Sequence, residues 1–181
     1  MAVMQLVLGP DPILKQKAAP VVEITDDIKS LVADMFDTLY ERRGLGIGAN
    51  MVGELKRIIV VDMQEKGVKA PLACINPEIT WHSDKLEERE EASLCFPGIS
   101  AKITRSDSIK LKYQDIDGKA CELEAKGWLA TIIQHEMDYL DGRTYLDHLS
   151  KMKRERLIKK MIKQLKHNHS CHDPDCGHDH H

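Results

Sequence analysis

The chain has 181 residues, 42% hydrophobic and 30% charged, with a formal net charge of −3. That suits one domain with a buried core and gives no bulk-charge argument for DNA or for a membrane surface. The five cysteines, Cys74, Cys95, Cys121, Cys171 and Cys176, are odd in number and widely spaced, so they do not fit a disulfide framework and point to a reducing cytoplasm.

Residues 1–24 carry Gly9-Pro10-Asp11-Pro12 and Pro20, which read as extended chain and turns. The N-terminus has no basic segment followed by a long apolar one, so no signal peptide is expected. No run approaches the roughly 20 apolar residues of a spanning helix, so no transmembrane segment is expected either. Thr25 before Asp26 and Asp27 is an N-cap with acids in the first turn. Ile28, Leu31, Val32, Met35 and Leu39 follow at helical spacing, predicting an amphipathic helix over 26–42. A glycine-rich loop over 44–53 ends it. The β-branched run 57–63 predicts a buried strand, and 73–77 with 79–81 a second strand pair. Acidic residues 87–91 lead into 92–97. Residues 109–113 alternate, Asp117-Gly118 turns, and 120–125 runs back, predicting a hairpin. Helical spacing resumes over 127–140, Gly142 stops it, and 152–165 forms a further helix. One helix, then strands with hairpins, then helices, is an α+β pattern.

The chemistry concentrates on His135-Glu136-x-x-Tyr139, within the predicted helix 127–140. In a complete H-E-x-x-H motif, the residues at i and i+4 lie on one helical face. Two imidazoles there bind one metal, and the glutamate takes a proton from its water. Here the second histidine is a tyrosine, and a lone His-Glu pair is by itself weak evidence.

The surrounding string, Gln134-His135-Glu136-Met137-Asp138-Tyr139-Leu140-Asp141-Gly142, closely resembles the peptide deformylase motif Q-H-E-x-D-H-L-x-G. Glu91-Ala92-Ser93-Leu94-Cys95-Phe96-Pro97-Gly98 resembles that family's E-G-C-L-S-x-P-G. The stretch from Gly44 through Gly53 is similar to its G-x-G-L-A-A-x-Q-V-G. The three motifs occur in order, and the resemblance runs from about Asp11 through Leu149. It implies an α+β fold with antiparallel strands around a central helix carrying His135 and Glu136. It also implies a hydrolase that removes formyl from the N-terminal methionine of new polypeptides. A divalent metal, typically iron, is held by one cysteine and two histidines, a glutamate shuttles the proton, and a glutamine with a backbone N–H stabilises the oxyanion.

Carried over residue by residue, His135 keeps a ligand position and Glu136 the base position. Ser93 stands for the cysteine, Tyr139 for the second histidine and Met51 for the glutamine. Gly48 and Ala92 replace other motif residues, and Ser100 stands where family members commonly have arginine. Serine hydroxyl and neutral tyrosine are poor ligands beside thiolate and imidazole, and methionine cannot donate a hydrogen bond. Cys95, on a strand with Ser93, faces the same side about 6–7 Å away. It is read as a packing residue, against the alternative of a rewired ligand. Asp138 is read as orienting its neighbours. Gly46, Gly48, Met51 and Leu94 are the groove candidates, because the resemblance places an extended peptide against this strand. For the glycines the competing reading is that they merely supply backbone freedom.

Three functional readings follow. The leading one is a deformylase-like protein impaired in catalysis, with no confident cofactor beyond a residual Fe or Zn site, retaining peptide or ribosome binding. The alternative is an active deformylase with a rewired site, and a third is metal binding through the C-terminal tail. The domain reading is a deformylase-like domain over 1–150, a basic helix over 151–166 and a polar tail over 167–181. The basic helix suits an anionic partner, RNA first, and some deformylases approach the ribosome with such a helix. In the tail, His167, His169, Cys171, His172, Cys176 and His178 are candidates for Zn, Ni or Cu, and the tail is expected to be disordered.

Overall fold

The computed structural model describes residues 2–170. Helix α1 (Asp26–Glu41) begins as the sequence predicts, with Thr25 Oγ1 accepting from the Ile28 amide and Asp26 and Asp27 in the first turn. Strand β1 (Gly46–Gly48) is short, and β2 (Ile58–Val61) is buried at every residue. Strand β3 (Leu72–His82) is one long strand with register shifts between Ile75 and Glu78 and between Ile79 and Trp81, where the sequence suggested two. The hairpin β4 (Leu86–Ser93) with β5 (Phe96–Ser106) stands as a separate two-stranded sheet. Strands β6 (Ser108–Gln114) and β7 (Ala120–Lys126) form the predicted hairpin. Its turn is fixed by Asp115 Oδ1, which accepts from the Asp117 and Lys119 amides at 2.9 Å each, and by Gly118 at φ 81°.

The main sheet has the order β1-β2-β3-β6-β7, and every pairing is antiparallel. Side chains of β2 alternate between two cores. Ile58 and Val60 join α1, the β4–β5 turn and the last helix, while Ile59 and Val61 join Ile133, Met137 and Leu140. Those last three belong to α2 (Trp128–Leu140), which runs between the sheet and the β4–β5 hairpin and is buried on nearly every side. The fold is therefore α+β around one central helix. Helix α3 (Lys151–Ser170) extends past the expected end at 166 and lies on β5. It rests there through Met161, fully buried, with Leu157, Ile158 and Leu165 half-buried. No helix of the described residues is long and apolar enough to cross a membrane.

One buried charge holds a loop onto this core. Asp62, fully buried, accepts from the Tyr40 hydroxyl at 2.7 Å and from the Gln64 and Ala70 amides at 2.9 and 3.1 Å. Burial alone would raise its pKa, but the Tyr40 hydroxyl, the two amides and Lys69 together hold it below the usual carboxylate range. Because the native pKa lies under the unfolded value of about 3.9, this stabilisation is complete above that value and is lost as pH falls through the native pKa. Asp62→Asn is expected to cost about 1–3 kcal/mol at neutral pH. In urea titrations run from neutral pH downward, the variant should show less acid sensitivity than the parent; equal sensitivity would rule this account out.

Candidate functional site

Three elements converge on the motif residues. Helix α2 presents His135, Glu136 and Tyr139, each no more than 3% exposed. The end of β4 supplies Ser93, and β1 passes beneath with Gly46 and Gly48. Cys95 is not on a strand with Ser93: Leu94 and Cys95 form the two-residue turn of the β4–β5 hairpin. That turn folds the Cys95 amide back to donate to Ser93 Oγ at 3.2 Å and brings the thiol beside the Ser93 and Tyr139 hydroxyls. Sequence spacing on an extended strand could not anticipate this return.

The two replaced ligand positions are bonded to each other. Ser93 Oγ and Tyr139 Oη lie 2.6 Å apart. Burial pushes the Tyr139 phenol well above its ordinary pKa, so it stays a neutral hydroxyl. Burial and the Glu136 carboxylate push the Cys95 thiol up to about 12, so it too stays protonated. The described residues contain no group of three His, Cys, Asp or Glu arranged to hold a metal. A divalent metal needs deprotonated thiolate, imidazole or carboxylate donors. A serine and a tyrosine hydroxyl, neutral and bonded to each other, do not supply that donor set.

Glu136 is buried, and its Oε2 has no hydrogen-bond partner among the described residues. Burial raises its pKa to about 7, opposed by His135 and by the Gly48 amide. That amide is only partly turned to the carboxylate, since it also donates to Met51 Sδ at 3.4 Å. Met51 is 1% exposed, so this groove candidate is a core residue packed against the loop. Close approach accounts for Gly46, where a Cβ would lie 2.8 Å from Ile132 Cγ2 and 2.9 Å from Glu136 Oε1; at Gly48 the nearest atoms, Glu136 O and Tyr139 Cβ, would be at 3.4 Å. Neither Gly46 nor Gly48 has a positive φ, so backbone freedom is not their reason. Leu94 lies over Gly44, where a Cβ would meet its Cδ1 at 2.8 Å.

Behind His135 runs an ionic network that sequence reasoning missed. Arg105, 6% exposed, donates from Nε to Glu91 Oε1 and Oε2 at 2.7 and 3.1 Å and from Nη1 to Asp138 Oδ2 at 2.9 Å. His148 Nε2 lies 2.8 Å from the same Asp138 oxygen. Burial would raise the Glu91 pKa, but His135 and Arg105 hold it below the usual range; for Asp138, His148 and Arg105 do the same. His135 Nδ1 is 3.6 Å from Glu91 Oε1, and its ring stacks on Tyr145 with centroids 5.4 Å apart. Asp138 thus orients neighbours, while nothing in the sequence marks Arg105 within an alternating strand. A cleft of about 670 Å³ opens on the face of α2 turned away from Glu136, lined by Arg57, Asn76, Arg105, Met137 and His148 among others. Of the tail candidates, His167 is exposed near the end of α3. The side chain of His169 lies outside the described residues, as do Cys171, His172, Cys176 and His178.

Residues 3–155 match the family model for polypeptide deformylase. A peptide deformylase-like protein of Rickettsia conorii is 48% identical over 96% of this chain and 96% of its own length. A peptide deformylase of Brucella suis is 42% identical over 90% of this chain and 94% of its own. The crystal structure of peptide deformylase from Ehrlichia chaffeensis superposes with a TM-score of 0.87 at 34% identity, covering 92% of this chain and 99% of that one.

Proposed function

The chain belongs to the polypeptide deformylase family, and we propose that it keeps the family's peptide-binding scaffold without metal-dependent removal of formyl groups. The observation that carries this reading is the 2.6 Å bond between Ser93 and Tyr139, which joins the two positions where the family motif has cysteine and histidine. Met51 adds to it, since a thioether cannot donate to an oxyanion. Peptide binding is supported by β1, which ends the order of the main sheet and so has one edge unpaired by any strand among the described residues. Strand addition needs only backbone groups and survives the loss of catalytic side chains.

The opposing reading is deformylation by a rewired site. The names of the relatives favour it, since proteins called peptide deformylase match at 38–42% identity, and His135 and Glu136 are retained. We propose further that the protein works in the cytoplasm and that the basic face of α3 turns toward an anionic partner such as ribosomal RNA. The tail over 167–181 is proposed as a loose binder of Zn, Ni or Cu.

The readings separate in one experiment. The full chain and a chain lacking 167–181 are supplied with iron, nickel or zinc, assayed for bound metal and given formyl-Met-Ala-Ser. Turnover is expected at least about 100-fold below that of an active relative run in parallel. Metal is expected on the full chain and absent from the shortened one. Relative-like turnover by either chain would establish the rewired site instead.

A further inference from the structure

The cleft of about 670 Å³ behind α2 lies on the opposite face of that helix from Glu136, and its size suits a small molecule. Its wall includes the last half of β3. Strand β2 pairs only with Leu72–Ile75 of β3, so residues 77–82 keep one edge unpaired by any strand among the described residues. A peptide strand is a poor occupant of that edge. Pro77 has no N–H to donate, and register shifts lie on either side of the Glu78–Ile79 pair. The cleft therefore suits a compact ligand better than an extended one.

The hydrogen bonding inside the cleft is incomplete at particular atoms. Arg105 donates from Nε to Glu91 and from Nη1 to Asp138, but its Nη2 is buried and has no partner among the described residues. Arg57 donates from Nη1 to the Leu140 carbonyl at 3.3 Å and to Asp141 at 3.0 Å; its Nε and Nη2 make no hydrogen bond among the described residues. The acids are unequally engaged. Asp138 holds Arg105 and His148, and Asp141 holds Arg57, whereas exposed Glu78 has no ion pair among the described residues. The donors left over thus belong to two arginines and the acceptor left over to one carboxylate. Pro77, Ile79 and Met137 add carbon surface to the same cleft.

We infer that this cleft binds a free α-amino acid with an apolar side chain. The ligand's carboxylate is the acceptor that Arg57 and the unpartnered Arg105 nitrogen lack, and a guanidinium fork matches its two oxygens. The ligand's ammonium brings three donors to Glu78. Its apolar side chain covers the carbon surface of Ile79 and Met137. A simple anion would meet the arginines but be opposed by Glu78, Asp138 and Asp141, which line the same cleft. The site is separate from the groove at β1 and does not depend on peptide binding there.

The test titrates the full-length protein by calorimetry at neutral pH with L-leucine, with N-acetyl-L-leucine, which has no ammonium, and with isoamylamine, which has no carboxylate. Leucine is expected to bind at least about tenfold more tightly than either analogue. Arg57→Gln, at a half-buried position, and Glu78→Gln, at an exposed one, are each checked for folding by thermal melt. Each is expected to weaken leucine at least about tenfold. In amide NMR spectra of the parent, leucine should shift resonances within 76–82 and 134–141 and leave those of 44–48 and 93–95 in place. Absence of leucine binding, or equal binding of all three compounds, would overturn the inference. So would leucine affinity unchanged in either folded variant, or shifts confined to 44–48 and 93–95.

Discussion

Ser93→Cys, Tyr139→His and Met51→Gln introduced together are expected to give a chain that binds one divalent metal and turns over formyl-Met-Ala-Ser at least about 100-fold faster than the parent. Each change acts on a defined contact. Cysteine at 93 replaces a hydroxyl by a thiol whose ionised form is a strong metal ligand. Histidine at 139 removes the phenol that bonds Ser93 at 2.6 Å and returns an imidazole to the helical face of His135. Glutamine at 51 gives the Gly48 amide, now 3.4 Å from a thioether sulfur, a carbonyl to bond, and leaves an NH₂ for the oxyanion. Without metal the triple variant should be less stable than the parent, because a buried hydrogen bond and a fully buried tyrosine are lost. Added metal should raise the melting temperature of the variant and leave a parent lacking 167–181 unchanged. A parent that gains metal and turnover to the same extent as the variant would show that the native donors suffice. A variant that gains neither would show that the scaffold has shifted beyond three side chains.

How much of this was readable beforehand depends on the range of the interaction. The N-cap at Thr25, the buried run of β2 and the Asp117-Gly118 hairpin are local and appear where the sequence places them. The β4–β5 hairpin did not announce itself. Strand β4 reads Leu86-Glu-Glu-Arg-Glu-Glu-Ala-Ser93, and four of its eight residues are exposed, so no apolar alternation marks it. The missing ligands were legible as departures from a motif, but their consequence was not. Ser93 and Tyr139 are 46 residues apart, and only the packing of α2 against the hairpin end shows that the replacements satisfy each other. Arg105 was illegible for the same reason: its partners Glu91 and Asp138 come from another strand and from α2.

Arg105→Met is expected to cost about 3–5 kcal/mol of stability, the loss typical of breaking a buried ion pair from one side. The methionine fills much of the space, so the cost reports charge and hydrogen bonding more than a cavity. Glu91, 2% exposed in its side chain, would be left without its arginine, and Asp138 would keep only His148. Lysine should not rescue the site, because one ammonium cannot serve the two Glu91 oxygens and Asp138 together. The pH dependence gives a second, independent reading. In the parent, Glu91 and Asp138 are held below their unfolded pKa values, so their contribution is complete above those values and fades as pH falls through the native ones. In Arg105→Met the burial of Glu91 is offset by His135 alone, and its pKa should rise above that in the parent. Glu91 then takes its proton at higher pH in the folded variant than in the folded parent, so the variant loses less stability as pH falls through mild acid. Urea titrations of both chains should therefore show a gap that is widest above neutral pH and narrows in mild acid. A gap that is small throughout, or one that widens in acid, would mean that Arg105 does not balance the carboxylates behind His135.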